Sequence, residues 1–72
     1  MARKATEQER EIMEYLNVLR ATGATNMFGA TPYITGEFDV NEREARRILK
    51  LWMKNFNEDG DYETVKDEWV TN

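Results

Sequence analysis

The feature that most constrains this chain is a strongly amphipathic segment from Glu42 to about Phe56. Apolar residues recur there every three or four positions and therefore share one side of a helix. They are Ala45, Ile48, Leu49, Trp52, Met53 and Phe56. The opposite side is basic, with Arg43, Arg46, Arg47, Lys50 and Lys54. Leu51 lies outside both groups, and we interpret it either as a surface leucine or as part of a contact with another chain.

Length and composition exclude several classes of protein. A chain of 72 residues forms one domain with a small core. It has no cysteine and no histidine, which excludes disulfides, Cys/His zinc sites and thiol or imidazole catalysis. The sequence contains neither an apolar run of membrane-spanning length nor a signal-peptide pattern. We therefore expect a cytoplasmic protein without a membrane partner.

Charge is distributed unevenly along the chain. The formal net charge is −4, whereas nucleic-acid-binding domains are usually basic. Five of the ten basic residues nevertheless lie on the amphipathic segment, and residues 58–72 carry six acidic residues against one lysine. A basic helix and an acidic tail in one small chain indicate separate faces with separate roles.

The first helix is predicted from Thr6 to Ala21, after a flexible N-terminus at residues 1–5. Thr6 and Glu9 form a capping-box pattern, which satisfies free N–H groups at a helix start. Gly23 is the expected C-terminal cap, because glycine readily adopts the left-handed conformation that ends many helices.

A shorter second helix is predicted from about Thr31 to Glu37. Thr31 is expected to be its N-cap and Pro32 its first residue, since proline is tolerated only in the first turn. Asp39 then occupies a turn position where a left-handed residue is expected. Asn41 should cap the third helix.

The tail at residues 58–72 has two interpretations. Tyr62, Val65 and Trp69 fit one face of a short helix with Asp61 as N-cap, and a strand is less favoured because strict alternation is lacking. Trp69 should dock on the core. The predicted fold is therefore all-α: a three-helix domain at residues 6–57 with a helix-turn-helix core, and a short acidic C-terminal helix or tail that docks on it.

The central pattern resembles the helix-turn-helix family over about a quarter to a third of the chain. The resemblance rests on Ile34 and Phe38 in the first helix of the motif, Val40 in the turn, and Ala45 and Ile48 in the second helix of the motif. The run DVNEREARRILK has the register of the turn and recognition helix in many small repressors. The chain departs from the pattern at Pro32, Gly36 and Asp39. The segment NMFGATPYI with the third helix also resembles small tailed-phage proteins, which would imply a bacterial host cytoplasm and no particular chemistry.

The helix-turn-helix resemblance implies binding of duplex DNA. Arg43 and Arg47, one turn apart, would each be able to pair with guanine in the major groove. Phosphate contacts would come from Arg46, Lys50 and Lys54. Glu42 and Glu44 oppose this hypothesis, because they add negative charge at the end of the helix that would enter the groove.

A protein partner is the other main hypothesis, and a purely structural role is the third. The chain is acidic overall and rich in Met and aromatic residues, which are enriched at protein contacts. Leu51 and Trp69 are the candidate interface residues. A homodimer through the third helix or the tail would serve either binding hypothesis.

Metal binding and catalysis have little support in the sequence. Residues 55–66 are similar to an EF-hand calcium loop, but Lys66 stands where the loop needs a bidentate glutamate. A polar glycine turn explains that segment as well. There is no Gly-rich phosphate loop and no carboxylate pair on an apolar face. We expect no cofactor, metal or small-molecule substrate, and a non-enzymatic regulatory or adaptor protein that binds protein or DNA through the basic side of its third helix.

Overall fold

The computed structural model describes residues 2–23, 26 and 29–66 and contains both helices and strands. In chain order the elements are β1 (Ala2–Lys4), α1 (Glu7–Thr22), α2 (Thr31–Glu37), α3 (Glu42–Asn55) and β2 (Thr64–Lys66). The two strands pair antiparallel, with Arg3 opposite Val65. The all-α prediction is therefore wrong, since a two-stranded sheet joins the start of the chain to its acidic tail.

The sheet also corrects the predictions for both ends of the chain. The segment expected to be a flexible N-terminus contains β1, and Ala5 extends the pairing by donating its N–H to the Glu63 carbonyl at 2.9 Å. The helix expected after Asp61 is absent from residues 61–66, which contain a bend at Glu63 and then β2. Val65 is buried while its neighbours in β2 are exposed, because successive side chains of a strand point to opposite faces. Trp69 lies outside the described residues.

The first helix begins and ends where its caps predict, within one residue. Thr6 is the N-cap: its Oγ1 accepts from the Glu9 N–H at 3.1 Å, and Glu9 Oε1 accepts from the Thr6 N–H at 2.9 Å. This is the predicted capping box. Gly23 is the C-cap with φ of +70°, and its N–H donates to the Arg20 carbonyl. Both predicted caps of α1 are confirmed.

The turn between α2 and α3 differs from the prediction. Among the described residues only Gly23 and Gly60 have positive φ, so Asp39 is not left-handed. Instead the Val40 N–H donates to the Phe38 carbonyl at 2.9 Å, which closes a three-residue γ-turn. Such a turn reverses the chain without a left-handed residue. The start of α2 is also corrected, because Ala30 rather than Thr31 is the N-cap and no side chain bonds there.

The third helix is at the centre of the fold, with contacts to α1, α2 and β2. Asn41 caps it as predicted, its Oδ1 accepting from the Glu44 N–H at 2.8 Å. Its buried residues are Ala45, Ile48, Leu49, Leu51 and Trp52. Leu51 is only 1% exposed, so its predicted surface or interface role is wrong. Leu51 is thus buried outside the predicted apolar side of α3, and β2, which was not predicted, also contacts α3.

A partly buried polar cluster joins α1, α3 and the segment before β2. Asn17 Oδ1 accepts from the indole N–H of Trp52 at 2.8 Å and from the hydroxyl of Tyr62 at 2.6 Å. Asn17 Nδ2 donates to the Asn57 carbonyl at 2.8 Å. These bonds satisfy the polar atoms of two buried aromatic side chains, which would otherwise be costly to bury. None of the helices in the described ranges is both long and apolar enough for a membrane span.

Candidate functional site

The basic side chains of α3 form a shallow concavity on the helix surface. We call Arg43, Arg46, Arg47, Lys50 and Lys54 together the basic face. The first four of them line one open concavity of about 310 Å³, the basic concavity. Their spacing of three, four and seven residues places them on neighbouring turns of one helix side. The structure therefore brings four of the five predicted residues together, and Lys54 lies exposed one turn further along the helix.

Arg47 is held by carboxylates of the chain itself, which sequence analysis did not predict. Its Nη2 donates to Glu9 Oε2 at 2.9 Å and to Glu44 Oε2 at 2.6 Å, and its Nε donates to Glu44 Oε1 at 3.1 Å. Its side chain is 30% exposed. Hydrogen bonding to Glu44 raises the pKa of Arg47 above its usual value. The same hydrogen bonds lower the pKa of Glu44 below its usual value. Arg47 is therefore a fixed side chain at the edge of the core.

Glu9 is the buried centre of this ion-pair network. Its two carboxylate oxygens accept from Arg3 Nη1 and Nη2, both at 2.9 Å, as well as from Thr6 and Arg47. Hydrogen bonding to Arg3 is the largest cause that lowers the pKa of Glu9 from 4.5 to about 2, against the opposing effect of burial. The carboxylate thus links β1, α1 and α3. In the sequence, Glu9 is recognisable only as a local capping residue.

The other basic side chains of α3 are held less firmly. Arg46 pairs with Glu42 one turn earlier at 3.1 Å, and both side chains are more than half exposed. Exposed pairs of this kind contribute little, about 0–1 kcal/mol, so Arg46 can exchange its partner readily. Arg43 and Lys54 form no ion pair with any residue in the described ranges. The two glutamates that were expected to oppose DNA binding are thus ion-pair partners within the first turns of α3.

Exposed apolar side chains offer little support for the predicted protein interface. Leu51 is in the core, and Trp69 is outside the residues that can be described. Across the described part of the chain the large exposed apolar residues are Val18 on α1 and Tyr33 on α2. Single exposed apolar residues are normal on protein surfaces and do not define a contact patch.

The segment that is similar to a calcium loop is a hydrogen-bonded polar turn. Asn57 Oδ1 accepts from the Asp59 N–H at 2.9 Å, and Asp61 Oδ1 accepts from the Glu63 N–H at 3.3 Å. Asn55 is occupied as well, since its amide bonds to the backbone N–H and carbonyl of Lys66. Within residues 2–23, 26 and 29–66, no group of three or more His, Cys, Asp or Glu side chains is placed to hold a metal ion.

Comparison of the chain with protein-family models, curated proteins and solved structures finds no match. The resemblances to helix-turn-helix and tailed-phage proteins therefore gain no support from it and stay predictions. Any functional proposal must be based on the geometry of the chain itself.

Proposed function

We propose that this chain is a small non-enzymatic regulatory or adaptor protein that binds an anionic macromolecule through the basic face of α3. The observation that carries the proposal is the basic concavity, where four cationic side chains converge on one exposed surface. The opposite side of α3 is buried in the core, which leaves the basic face directed outward.

Like charges that cluster on one side of a helix destabilise the folded chain when no partner is bound. Arg43 precedes Arg47 by one turn, and Arg46 precedes Lys50 by the same spacing. Like charges at this spacing destabilise a helix by about 0.2–0.5 kcal/mol per pair. Carboxylates of the chain offset part of this repulsion at Arg46 and Arg47, whereas Arg43 has no such partner among the described residues. An anionic partner would offset the remainder.

Sequence-specific DNA binding is the second candidate, and one observation favours it. Arg43 is exposed in the first turn of α3, immediately after a short connection from α2, which is the position from which a recognition helix reads bases. Of the two predicted base-reading arginines, Arg43 has no ion pair with the described residues, whereas Arg47 is held by Glu9 and Glu44 and cannot turn freely towards a base. Contacts that do not depend on sequence are therefore the better-supported mode.

Fluorescence anisotropy with two labelled polyanions tests the proposal. A short duplex DNA and a poly-glutamate peptide are titrated separately with the wild-type protein at low salt. At least one of them should bind, and Arg43→Gln should weaken that binding by about tenfold, the loss of one charge-assisted contact. Lys4→Gln is the matched control, because it removes one charge from an exposed side chain on β1. Absence of binding to both polyanions, or equal weakening by both variants, would contradict the proposal.

A further inference from the structure

We infer that the basic concavity is a site for a phosphate group, with Arg47 as its fixed donor and Arg43 and Arg46 as its movable donors. The inference rests on the proposed function and names the chemistry of the partner. A phosphate group is available either from the backbone of a nucleic acid or from a free phosphate ion or monoester. Both sources present negatively charged phosphate oxygens, and the experiment below separates them.

The donors of Arg47 are only partly used by the chain. A guanidinium group has five N–H donors. The Nε donor and both Nη2 donors are directed to Glu44 and Glu9. The two Nη1 donors have no acceptor among the residues that the structure describes, although Arg47 lines the concavity. These two donors are accessible to an incoming anion.

Arg47 is also held in place before any ligand arrives. Its three hydrogen bonds fix the position of the guanidinium, so little side-chain freedom remains to be lost on binding. Arginine side chains that are mobile on the protein surface lose conformational freedom when they bind a ligand, which reduces their contribution to affinity. A fixed arginine beside mobile ones therefore gives the concavity one donor of defined position.

Arg43 and Arg46 can add donors from the exposed side of the concavity. Arg43 lies one turn before Arg47, is exposed, and has no ion pair within the described ranges. Arg46 has only the exposed pair with Glu42, which an oxyanion is able to replace. Both are arginines, whose planar groups match phosphate oxygens more closely than the point charge of a lysine.

A terminal phosphate fits the three arginines that line the concavity better than a carboxylate does. A carboxylate has two oxygens, which a single guanidinium satisfies in a bidentate pair. A terminal phosphate presents three strong acceptor oxygens and carries more charge than a carboxylate, whereas a phosphodiester of a nucleic-acid backbone presents two free oxygens and carries a single charge. Glu9 and Glu44 already supply the carboxylate oxygens that Arg47 accommodates. The donors that remain are best suited to a terminal phosphate, which has one oxygen more than a carboxylate.

Nuclear magnetic resonance of the arginine Nε–H groups provides the test. The ¹⁵N-labelled full chain is titrated at equal ionic strength with inorganic phosphate, a short duplex DNA and a poly-glutamate peptide. Saturable shifts of the Arg43 and Arg47 signals are expected with a phosphate-bearing ligand, at an affinity about tenfold or more above that for poly-glutamate. Shifts with duplex DNA alone assign the site to a nucleic-acid backbone. Shifts with inorganic phosphate alone would support the phosphate site and contradict the binding of a macromolecular partner.

The remaining outcomes overturn the inference in distinguishable ways. If poly-glutamate binds as tightly as duplex DNA, the phosphate inference is wrong and the proposed function stands. If no polyanion and no phosphate shifts the arginine signals, both are wrong.

Conservative variants separate the guanidinium from its charge. Arg47→Lys and Arg43→Lys each retain a positive charge but lose the planar donor group, and each should weaken phosphate binding by about tenfold. Arg10→Lys on α1 is the matched control and should bind as the wild type does. The backbone amide spectrum of each variant verifies that the fold is intact, and Arg43→Lys keeps the test decisive if Arg47→Lys fails to fold. Wild-type affinity in both variants would contradict the assigned donors.

Discussion

Arg47 on α3 and Glu9 on α1, 38 positions apart in the sequence, are joined by a hydrogen bond of 2.9 Å from Nη2 to Oε2. The same carboxylate binds Arg3 of β1, so one buried group ties together three elements of the fold. Arg47 also lines the basic concavity. The network that stabilises the domain therefore also holds one of the side chains that we propose to bind a ligand.

Replacement of Glu9 tests the contribution of this network to stability. Glu9→Gln removes the charge that Arg3 and Arg47 share, and removal of one partner from a buried ion pair typically costs about 3–5 kcal/mol. Because glutamine retains some hydrogen bonds and Arg3 and Arg47 are partly exposed, we expect a loss of about 2–3 kcal/mol in the free energy of unfolding. Urea unfolding followed by circular dichroism measures it.

The control for that variant is Glu11→Gln, which removes one charge from an exposed position of the same helix. It should change the free energy of unfolding by no more than about 0.5 kcal/mol. If Glu9→Gln is as mild as Glu11→Gln, the carboxylate does not hold the elements together.

The low pKa of Glu9 predicts a specific dependence of stability on pH. Its pKa is about 2 in the folded chain against 4.5 for an unperturbed glutamate, so the unfolded chain binds the proton more readily. The stabilisation is therefore fully present above about pH 4.5 and is lost as the pH falls towards 2. The shift corresponds to a loss on the order of 3 kcal/mol over that window.

Urea unfolding at a series of pH values checks this dependence in the wild type and in Glu9→Gln. The variant should lose less stability than the wild type between pH 4.5 and 2, the window that the shifted pKa defines. The lowered pKa of Glu44 acts in the same direction and leaves the variant a smaller residual slope. Identical pH profiles would show that Glu9 is not responsible.

The polar cluster around Asn17 is predicted to be a second stabilising feature. Asn17→Ala removes the acceptor of the Trp52 indole and the Tyr62 hydroxyl, and the donor to the Asn57 carbonyl. Buried groups left without partners cost about 1–3 kcal/mol each, and the Tyr62 hydroxyl retains the Asn57 carbonyl as an alternative acceptor. We expect a total loss of about 2–3 kcal/mol in thermal or urea unfolding. Gln8→Ala, at an exposed position of α1, should be nearly neutral, and an equally mild Asn17→Ala would refute the role of the cluster.

Two glycines should respond to alanine with opposite signs. Gly23 caps α1 with φ of +70°, a conformation that is strained for alanine, so Gly23→Ala should destabilise by about 1 kcal/mol. Gly36 lies inside α2, and an added Cβ would meet no atom within 4 Å from the described residues beyond its own helical turn, so Gly36→Ala should stabilise by about 0.5–1 kcal/mol. The midpoint of thermal unfolding measures both. A shift of the same sign in the two variants would contradict the backbone assignment.

Local patterns in the sequence predicted the helices well, because caps and apolar spacing act over a few residues. Thr6, Gly23 and Asn41 each mark a helix end through a bond to nearby backbone. The sheet could not be predicted in the same way. Its strands have three residues each, and they pair only in the folded chain. The only strand signal in the sequence was therefore one apolar residue, Val65, between two polar ones.

The limits of sequence-based prediction at the candidate site have the same physical origin. Helical periodicity alone predicts the basic face. It does not predict the partners of Arg47, because two residues that form an ion pair between distant helices are not separated by any characteristic number of positions. Leu51 was misplaced for a related reason. It is buried outside the predicted apolar side of α3, and a helix that is covered on more than one side does not show one simple apolar stripe.

The central claim is that the basic face of α3 binds an anionic macromolecule, and a map of backbone amide chemical shifts tests it most directly. The labelled protein is titrated at low salt with duplex DNA and, separately, with poly-glutamate. The account predicts shifts concentrated at Arg43, Arg46, Arg47 and Lys50 with at least one polyanion, which diminish as salt is added. Shifts that avoid α3, or no shifts with either polyanion, would contradict it.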